Sequence, residues 1–148
     1  MRSIPFDLDK FPKVSILIGP VYDGYLSNFL TMSVHSIQAR TRKQMISEIL
    51  IIHDNSPLKS ESDELDIEFN ALNDLSGLII VTQPRSPNTP VNRATSRNKA
   101  MMEAISDYLV FVVPFVEVWS GTWLQQLLLP ILEKPQNTIS CYGAWYEF

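Results

Sequence analysis

At 148 residues with 45% hydrophobic content, the chain can bury one substantial core but hardly two. A formal net charge of −4 excludes the clustered basic footprint of a nucleic-acid-binding domain, and the one local group of cations, Arg40, Arg42 and Lys43, reads as a solvated helix end. No apolar run reaches the roughly 18 residues of a membrane span; the longest, Tyr108–Val116, is interrupted by Pro114. The stretch up to Lys13 has no apolar signal core and carries acidic residues, so a soluble protein without leader or anchor is expected. The single cysteine, Cys141, has no partner for an internal disulfide and is expected to be a buried free thiol.

In chain order, residues 1–12 read as a polar, proline-punctuated lead-in and 13–148 as one domain. Val14–Ile18 is a short apolar run, ended by Gly19-Pro20, and Val21-Tyr22-Asp23-Gly24 is then expected to be a loop. Leu26, Phe29, Leu30, Val34 and Ile37 recur at helical spacing, which predicts an amphipathic helix over Tyr25–Ala39. Ser60–Leu72 places Leu65, Phe69 and Leu72 on one face with acids in its first turns, a second helix. Leu78–Val81 is a buried strand, and Gln83–Val91, with Pro84, Pro87 and Pro90, a long loop. Helical spacing resumes over Asn92–Ile105; Tyr108–Val113 is a strand, Trp123–Leu132 a helix containing Pro130, and Thr138–Tyr142 a last strand.

The stretch around which these pieces are arranged is Glu48–Ser56. Ile49-Leu50-Ile51-Ile52 is too short for a helix and rich in β-branched residues, and it stops abruptly in His53, Asp54, Asn55 and Ser56. That is the signature of a parallel strand buried on both faces, delivering a carboxylate at its C-terminal tip. Ligands of open α/β sheets bind outside the carboxyl ends of the strands, where Asp54 would stand; the plainer reading makes Asp54, Asn55 and Ser56 a turn. Strands alternating with helices predict an α/β fold, a mostly parallel, doubly wound, Rossmann-like sheet. With only 5 glycines, neither a phosphate loop nor a dinucleotide fingerprint is present, and His35 and His53 cannot make a zinc site unaided.

The order of pieces resembles the first half of a GT-A glycosyltransferase, and most closely the polypeptide N-acetylgalactosaminyltransferases. Val34-His35-Ser36-Ile37 with Arg40-Thr41 resembles that family's T-V-H-S-V helix end. Glu48–Ser56 resembles its E-I-I-L-V-D-D-A-S strand. Val110-Phe111 with Glu117, then Trp123-Leu124 and Leu127-Leu128, resembles V-F-L-D-x-H-C-E followed by W-L-x-P-L-L, and Thr138-Ile139-Ser140-Cys141 resembles a strand ending in V-V-C-P. The likeness runs from about Pro12 to Cys141, nearly the whole chain.

What the resemblance implies is qualified by the departures from it. In the family the Asp and His of Asp-x-His hold manganese against the sugar-nucleotide diphosphate, a role suited to carboxylate and imidazole. The matching positions here are Val113 and Phe115, around Pro114, so no cofactor is expected. Glu117 falls where the family also has a Glu and is expected to be a structural hydrogen-bonding group. The first Asp of the family's Asp-Asp pair is His53, while the second, which meets uridine, survives as Asp54. Val21 occupies a uridine-contacting position where a backbone contact would survive substitution. Asn92–Arg97 matches a Gly-Leu-[Ile/Met]-Arg-x-Arg helix start and keeps only the last Arg, Arg97; Arg85-Ser86 resembles a substrate-contacting Arg before it.

By the same resemblance, the chain stops before the acceptor-binding half, the third metal ligand and the lectin domain, so donor and acceptor could not be oriented together. Three readings follow. The first is an inactive relative that retains weak binding of uridine or UDP at Val21, Asp54 and Arg97. The second is a protein-interaction module on a nucleotide-type sheet. The third is a metal-independent transferase completed by another chain, in which Arg93, Arg97 and Lys99 replace the ion's charge. A Golgi location follows from the resemblance alone.

Overall fold

A computed structural model describes residues 7–22, 27–55, 78–84, 93–134 and 136; for Tyr22, 27–29, 53–55, 78–84 and Arg93 it describes the backbone alone. In chain order these residues form β1 (Val14–Tyr22), α1 (Ser27–Arg40), β2 (Ile46–Asn55), β3 (Leu78–Pro84), α2 (Arg93–Glu103), β4 (Tyr108–Val112) and α3 (Trp123–Glu133), with single 3-10 turns at Leu8–Lys10 and Lys43–Met45. The strands make one sheet in the order β3-β2-β1-β4, and every neighbouring pair is parallel. Parallel neighbours require crossovers, and the crossover helices bury both faces of the central strands. That is why Ile16, Leu17, Ile18, Leu50, Ile51 and Ile52 are all fully buried.

The two faces carry unequal cores. On one, Val14, Ile16, Ile18, Ile49, Ile51, Val110 and Val112 pack against Leu30, Val34 and Ile37 of α1 and Leu124 and Leu128 of α3. On the other, Leu17, Leu50 and Ile52 meet Ala100 of α2, with Ala104 and Leu109 at the margin. α2 lies over β1, β2 and β3 and leaves this face of β4 largely open, so Phe111 is 44% exposed.

The parallel α/β sheet agrees with the sequence reading, but several boundaries differ. Gly19-Pro20 does not end β1, and Val21 and Tyr22 are strand rather than loop. The sheet absorbs the dipeptide as an irregularity: register with β2 shifts between Ile18 and Val21, and the Gly19–Pro20 peptide is cis. A proline without an N–H is accommodated within sheets at such bulges. Gly19 has φ +132°, and a Cβ there would lie 2.7 Å from the carbonyl oxygen of Ile52, so glycine is required twice over. Asp54 and Asn55 are paired strand residues, which excludes the turn reading for both.

α2 ends before Ile105 because the Ile105 N–H donates to Glu48 Oε1 (2.7 Å). β3 runs on to Pro84, and β4 stops at Val112, whose neighbour Val113 accepts from the Val116 N–H (3.2 Å) in a turn. α3 contains Pro130 as expected. The predicted helix Ser60–Leu72, the strand Thr138–Tyr142, Cys141 and Arg85-Ser86 lie outside the described residues. No helix among the described residues is long and apolar enough to cross a membrane.

Candidate functional site

The carboxyl edge of the sheet is assembled from the ends of β1, β2 and β4 and the start of α2. Along β2, His53 and Asp54 pair with Val21 and Tyr22 of β1 on one side and with Thr82 and Gln83 of β3 on the other. The backbone of Asp54 is thus set by hydrogen-bonded neighbours on both sides, at the tip where the sequence places it. Val21 sits one residue before the end of β1 with its side chain 2% exposed in the larger core. With 2% of the whole residue exposed, Val21 presents almost no surface to a ligand at this edge.

The segment after β4 is held in place by α1. Ser33 Oγ, fully buried, donates to the carbonyl oxygen of Pro114 (2.7 Å). Ser36 Oγ donates to Ser33 O (2.9 Å) and accepts from the Val118 N–H (3.0 Å). Further along, Trp123 Nε1 donates to Thr41 Oγ1 (2.9 Å). Two of the family-like stretches therefore meet in space: the helix end 34–41 grips the segment that follows Val110-Phe111. Sequence reasoning missed this grip, although an apolar helix face interrupted by Ser33 and Ser36 signals hydroxyls that need buried partners.

At positions 113 and 115 this segment carries apolar side chains. Val113 is half-buried and Phe115 is 48% exposed. Neither side chain has a lone pair for a cation, and the described residues contain no group of three His, Cys, Asp or Glu side chains that could hold a metal. At these two positions, therefore, the side chains offer manganese no ligand. Glu117 is exposed, and no hydrogen bond joins it to another of the described residues.

Arg97 lies in the second turn of α2. Its guanidinium carbon sits 5.7 Å from the centre of the Phe111 ring, a cation–π distance, and its Nε is buried without a hydrogen-bond partner. Arg97 therefore packs against β4, on the sheet face opposite α1.

At the other end of the sheet lies a polar cluster that the sequence did not disclose. Glu48, 2% exposed, accepts from Ser15 Oγ (2.6 Å) and the Ile105 N–H through Oε1, while Oε2 has no partner. Ser106 adds hydrogen bonds from its N–H to Ser15 Oγ (3.2 Å) and from its hydroxyl to Ser47 Oγ (2.7 Å). These contacts fasten the α2–β4 connection beneath β1 and β2. They are remote from the carboxyl edge, so Glu48 has a structural part in the fold.

No protein-family profile matches the chain. Curated proteins do. Polypeptide N-acetylgalactosaminyltransferase 8 of Drosophila melanogaster is 30% identical over 132 residues, 89% of this chain and 21% of the relative. N-acetylgalactosaminyltransferase 7 of the same organism is 31% identical over 130 residues, 86% and 20% of the two chains. Polypeptide N-acetylgalactosaminyltransferase 11 of Xenopus tropicalis is 30% identical over 138 residues, 93% and 21%. The chain thus spans about a fifth of the length of these relatives.

Among solved structures, GalNAc-T7 with UDP, GalNAc and Mn2+ superposes with a TM-score of 0.65 at 18% identity, covering 87% of this chain and 22% of that one. Mannosyltransferase PcManGT from Pyrobaculum calidifontis, in complex with GDP-Man and Mn2+, gives 0.63 at 14% identity, covering 87% and 36%. These structures share the fold, and the sequence relationship supplies the kinship: the chain is a homologue of the polypeptide N-acetylgalactosaminyltransferases, built on the α/β sheet of a GT-A glycosyltransferase.

Proposed function

We propose that this chain is an inactive relative of the polypeptide N-acetylgalactosaminyltransferases that keeps residual recognition of uridine and lacks metal-dependent sugar transfer. The observation that carries the reading is the pair Val113 and Phe115 on a segment fixed by Ser33 and Ser36. The backbone is held where the family resemblance puts its metal ligands, but the side chains cannot coordinate. A metal at that place would neutralise charge building on a departing diphosphate, and no ligand at these two positions can recruit one.

Two opposing effects decide what remains of nucleotide binding. Asp54 supplies a carboxylate that accepts from the uracil N3–H, a charge-assisted bond worth roughly 1.5–3 kcal/mol. The diphosphate meets the exposed ring of Phe115 instead, and desolvating phosphate without a compensating partner costs at least as much. Arg97 contributes only its positive field from α2. Uridine therefore binds weakly, UDP no better than uridine, and manganese changes neither.

Calorimetric titration with uridine and UDP, with and without manganese, tests this directly, beside a labelled-donor assay on mucin-like peptides. Tight, manganese-dependent UDP binding, or turnover abolished by a substitution in this chain, would overturn the reading.

A further inference from the structure

After the turn closed by Val113 and Val116, exposure alternates residue by residue. Phe115 is 48% exposed, Val116 packs against the larger core, Glu117 is exposed, Val118 is buried, and Trp119 is 73% exposed. That is the alternation of an extended chain, whose successive side chains point to opposite sides. Val116 and Val118 take the inward side, so Phe115, Glu117 and Trp119 share the outward one, a carboxylate between two aromatic rings. Alternate residues of an extended chain lie about 6.5 Å apart, close enough for one ligand group to touch the carboxylate and a ring together.

The row is held from below. The Val118 N–H donates to Ser36 Oγ (3.0 Å), and past Trp119 the Thr122 N–H donates to Ser120 Oγ (3.2 Å). The outward groups of Glu117 and Trp119 have no such task in the fold. No hydrogen bond or ion pair joins either side chain to another of the described residues, although a carboxylate and an indole N–H are both strong hydrogen-bonding groups.

We propose that Glu117 and Trp119, with Phe115 beside them, form a binding site for a quaternary ammonium group. Charge chooses the class. The face of an indole is negative by its quadrupole and attracts a cation within about 6 Å of the ring centre, more strongly than a phenyl ring does. The Glu117 carboxylate attracts the same charge from the next outward position and repels an anion. At 73% exposure the indole keeps a face open to solvent, so a ligand reaches it without disturbing the core.

Hydration chooses the member of the class. A lysine ammonium is strongly hydrated and gives up its water reluctantly, whereas a quaternary ammonium has no N–H to hydrate and turns methyl groups to the rings. The row is open rather than an enclosed cage, so binding is weak and rapidly reversible. Neither Glu117 nor Trp119 takes part in the residual recognition of uridine, and the two readings stand or fall separately.

NMR of the whole chain titrated with choline tests the proposal. The Trp119 indole N–H reports the site, and Trp119→Phe assigns it among the 3 tryptophans. Saturable shifts of that indole and of the Glu117 and Val118 amides are expected. The neutral isostere of choline, with a tert-butyl group in place of trimethylammonium, and sodium chloride at equal concentration should produce none. A blocked lysine with its side-chain ammonium free should bind more weakly than choline. Trp119→Ala removes the saturable shifts, and Glu117→Gln weakens binding about threefold, the size of an exposed ion pair. Circular dichroism confirms that each variant is folded; if one unfolds, choline against its neutral isostere on the unaltered chain decides. No saturable shift, equal binding of the isostere, tighter binding of the blocked lysine, or choline binding indifferent to both substitutions would overturn the proposal.

Discussion

At the amino end of the sheet a buried carboxylate, Glu48, gathers two strands and a connection around itself, whereas at the carboxyl end serine hydroxyls hold a segment with apolar side chains at positions 113 and 115. Both ends solve the same problem, tying a connection to the sheet or a helix with polar contacts that water cannot replace. They differ in what the tie is for. The amino end needs only to hold, and its polar groups face inward. The carboxyl end is where open α/β sheets meet their ligands, and there Val113 and Phe115 bring apolar side chains. Scaffold and chemistry are thus separable here: the hydrogen bonds that position the segment are made by α1, independently of what stands at 113 and 115.

The largest expected effect lies at the amino end. Glu48→Ala leaves the buried Ser15 hydroxyl and the part-buried Ile105 N–H without their acceptor, at about 1–3 kcal/mol for the buried donor and less for the other. A loss of about 2–3 kcal/mol in unfolding free energy is expected from urea denaturation. Glu48→Gln keeps an acceptor oxygen and should cost less than half as much. If both variants lose the same amount, the cluster is held by something other than the paired Oε1.

Next in size is Gly19→Ala, which tests how the carboxyl end of β1 is shaped. The substitution meets an unfavourable φ and a carbonyl at 2.7 Å. Strain of this kind costs about 1–3 kcal/mol, so a loss near 2 kcal/mol is expected, along with displacement of Val21. Chemical-shift changes confined to the end of β1 and the facing part of β2 would agree. Changes centred on Glu48 would blur the distinction between the two ends.

How much of this was legible in the sequence follows from the same contrast. β2 was readable because four consecutive large aliphatics, Ile49–Ile52, have no place to go but a doubly covered parallel strand. Asp54 at its tip followed from the polarity break. The continuation of β1 through Gly19-Pro20 was not legible, because local chemistry argues for a stop and only the pairing of Val21 and Tyr22 with β2 overrides it. Nor could Glu48 be recognised as buried. A carboxylate opening an apolar strand looks like a solvent-facing start until Ser15, Ile105 and Ser106, far away in sequence, are folded against it. Val113 and Phe115 were visible as departures from a pattern, but that their backbone is nonetheless pinned needed Ser33 and Ser36 in place.

A smaller effect, about 1 kcal/mol, is expected for Ser36→Ala, which removes the acceptor of the Val118 N–H. The informative readout is local. Exchange of the Val118 amide should accelerate severalfold more than that of β1 amides, since partial opening of a loop costs less than global unfolding. Equal acceleration throughout would mean that the segment opens only with the whole domain.

The smallest effect, and the one that bears most directly on the separation of scaffold from chemistry, is a gain. Val113→Asp with Phe115→His supplies a carboxylate and an imidazole, ligands suited to manganese, on a backbone already held at Pro114 and Val118. Two side chains are an incomplete coordination shell, and the ion must give up water to use them. A manganese-dependent improvement in UDP affinity of about threefold, under 1 kcal/mol, is therefore the expected size. The same pair of substitutions combined with Ser33→Ala should gain less, because the Pro114 carbonyl loses its anchor and the two ligands no longer share a fixed geometry. Titrations of the three proteins with UDP, each with and without manganese, make the comparison. An equal gain with and without Ser33 would show that the ligands suffice and the pinned backbone is irrelevant. No gain in either would show that the segment, although held, does not lie where a diphosphate-bound cation can reach it.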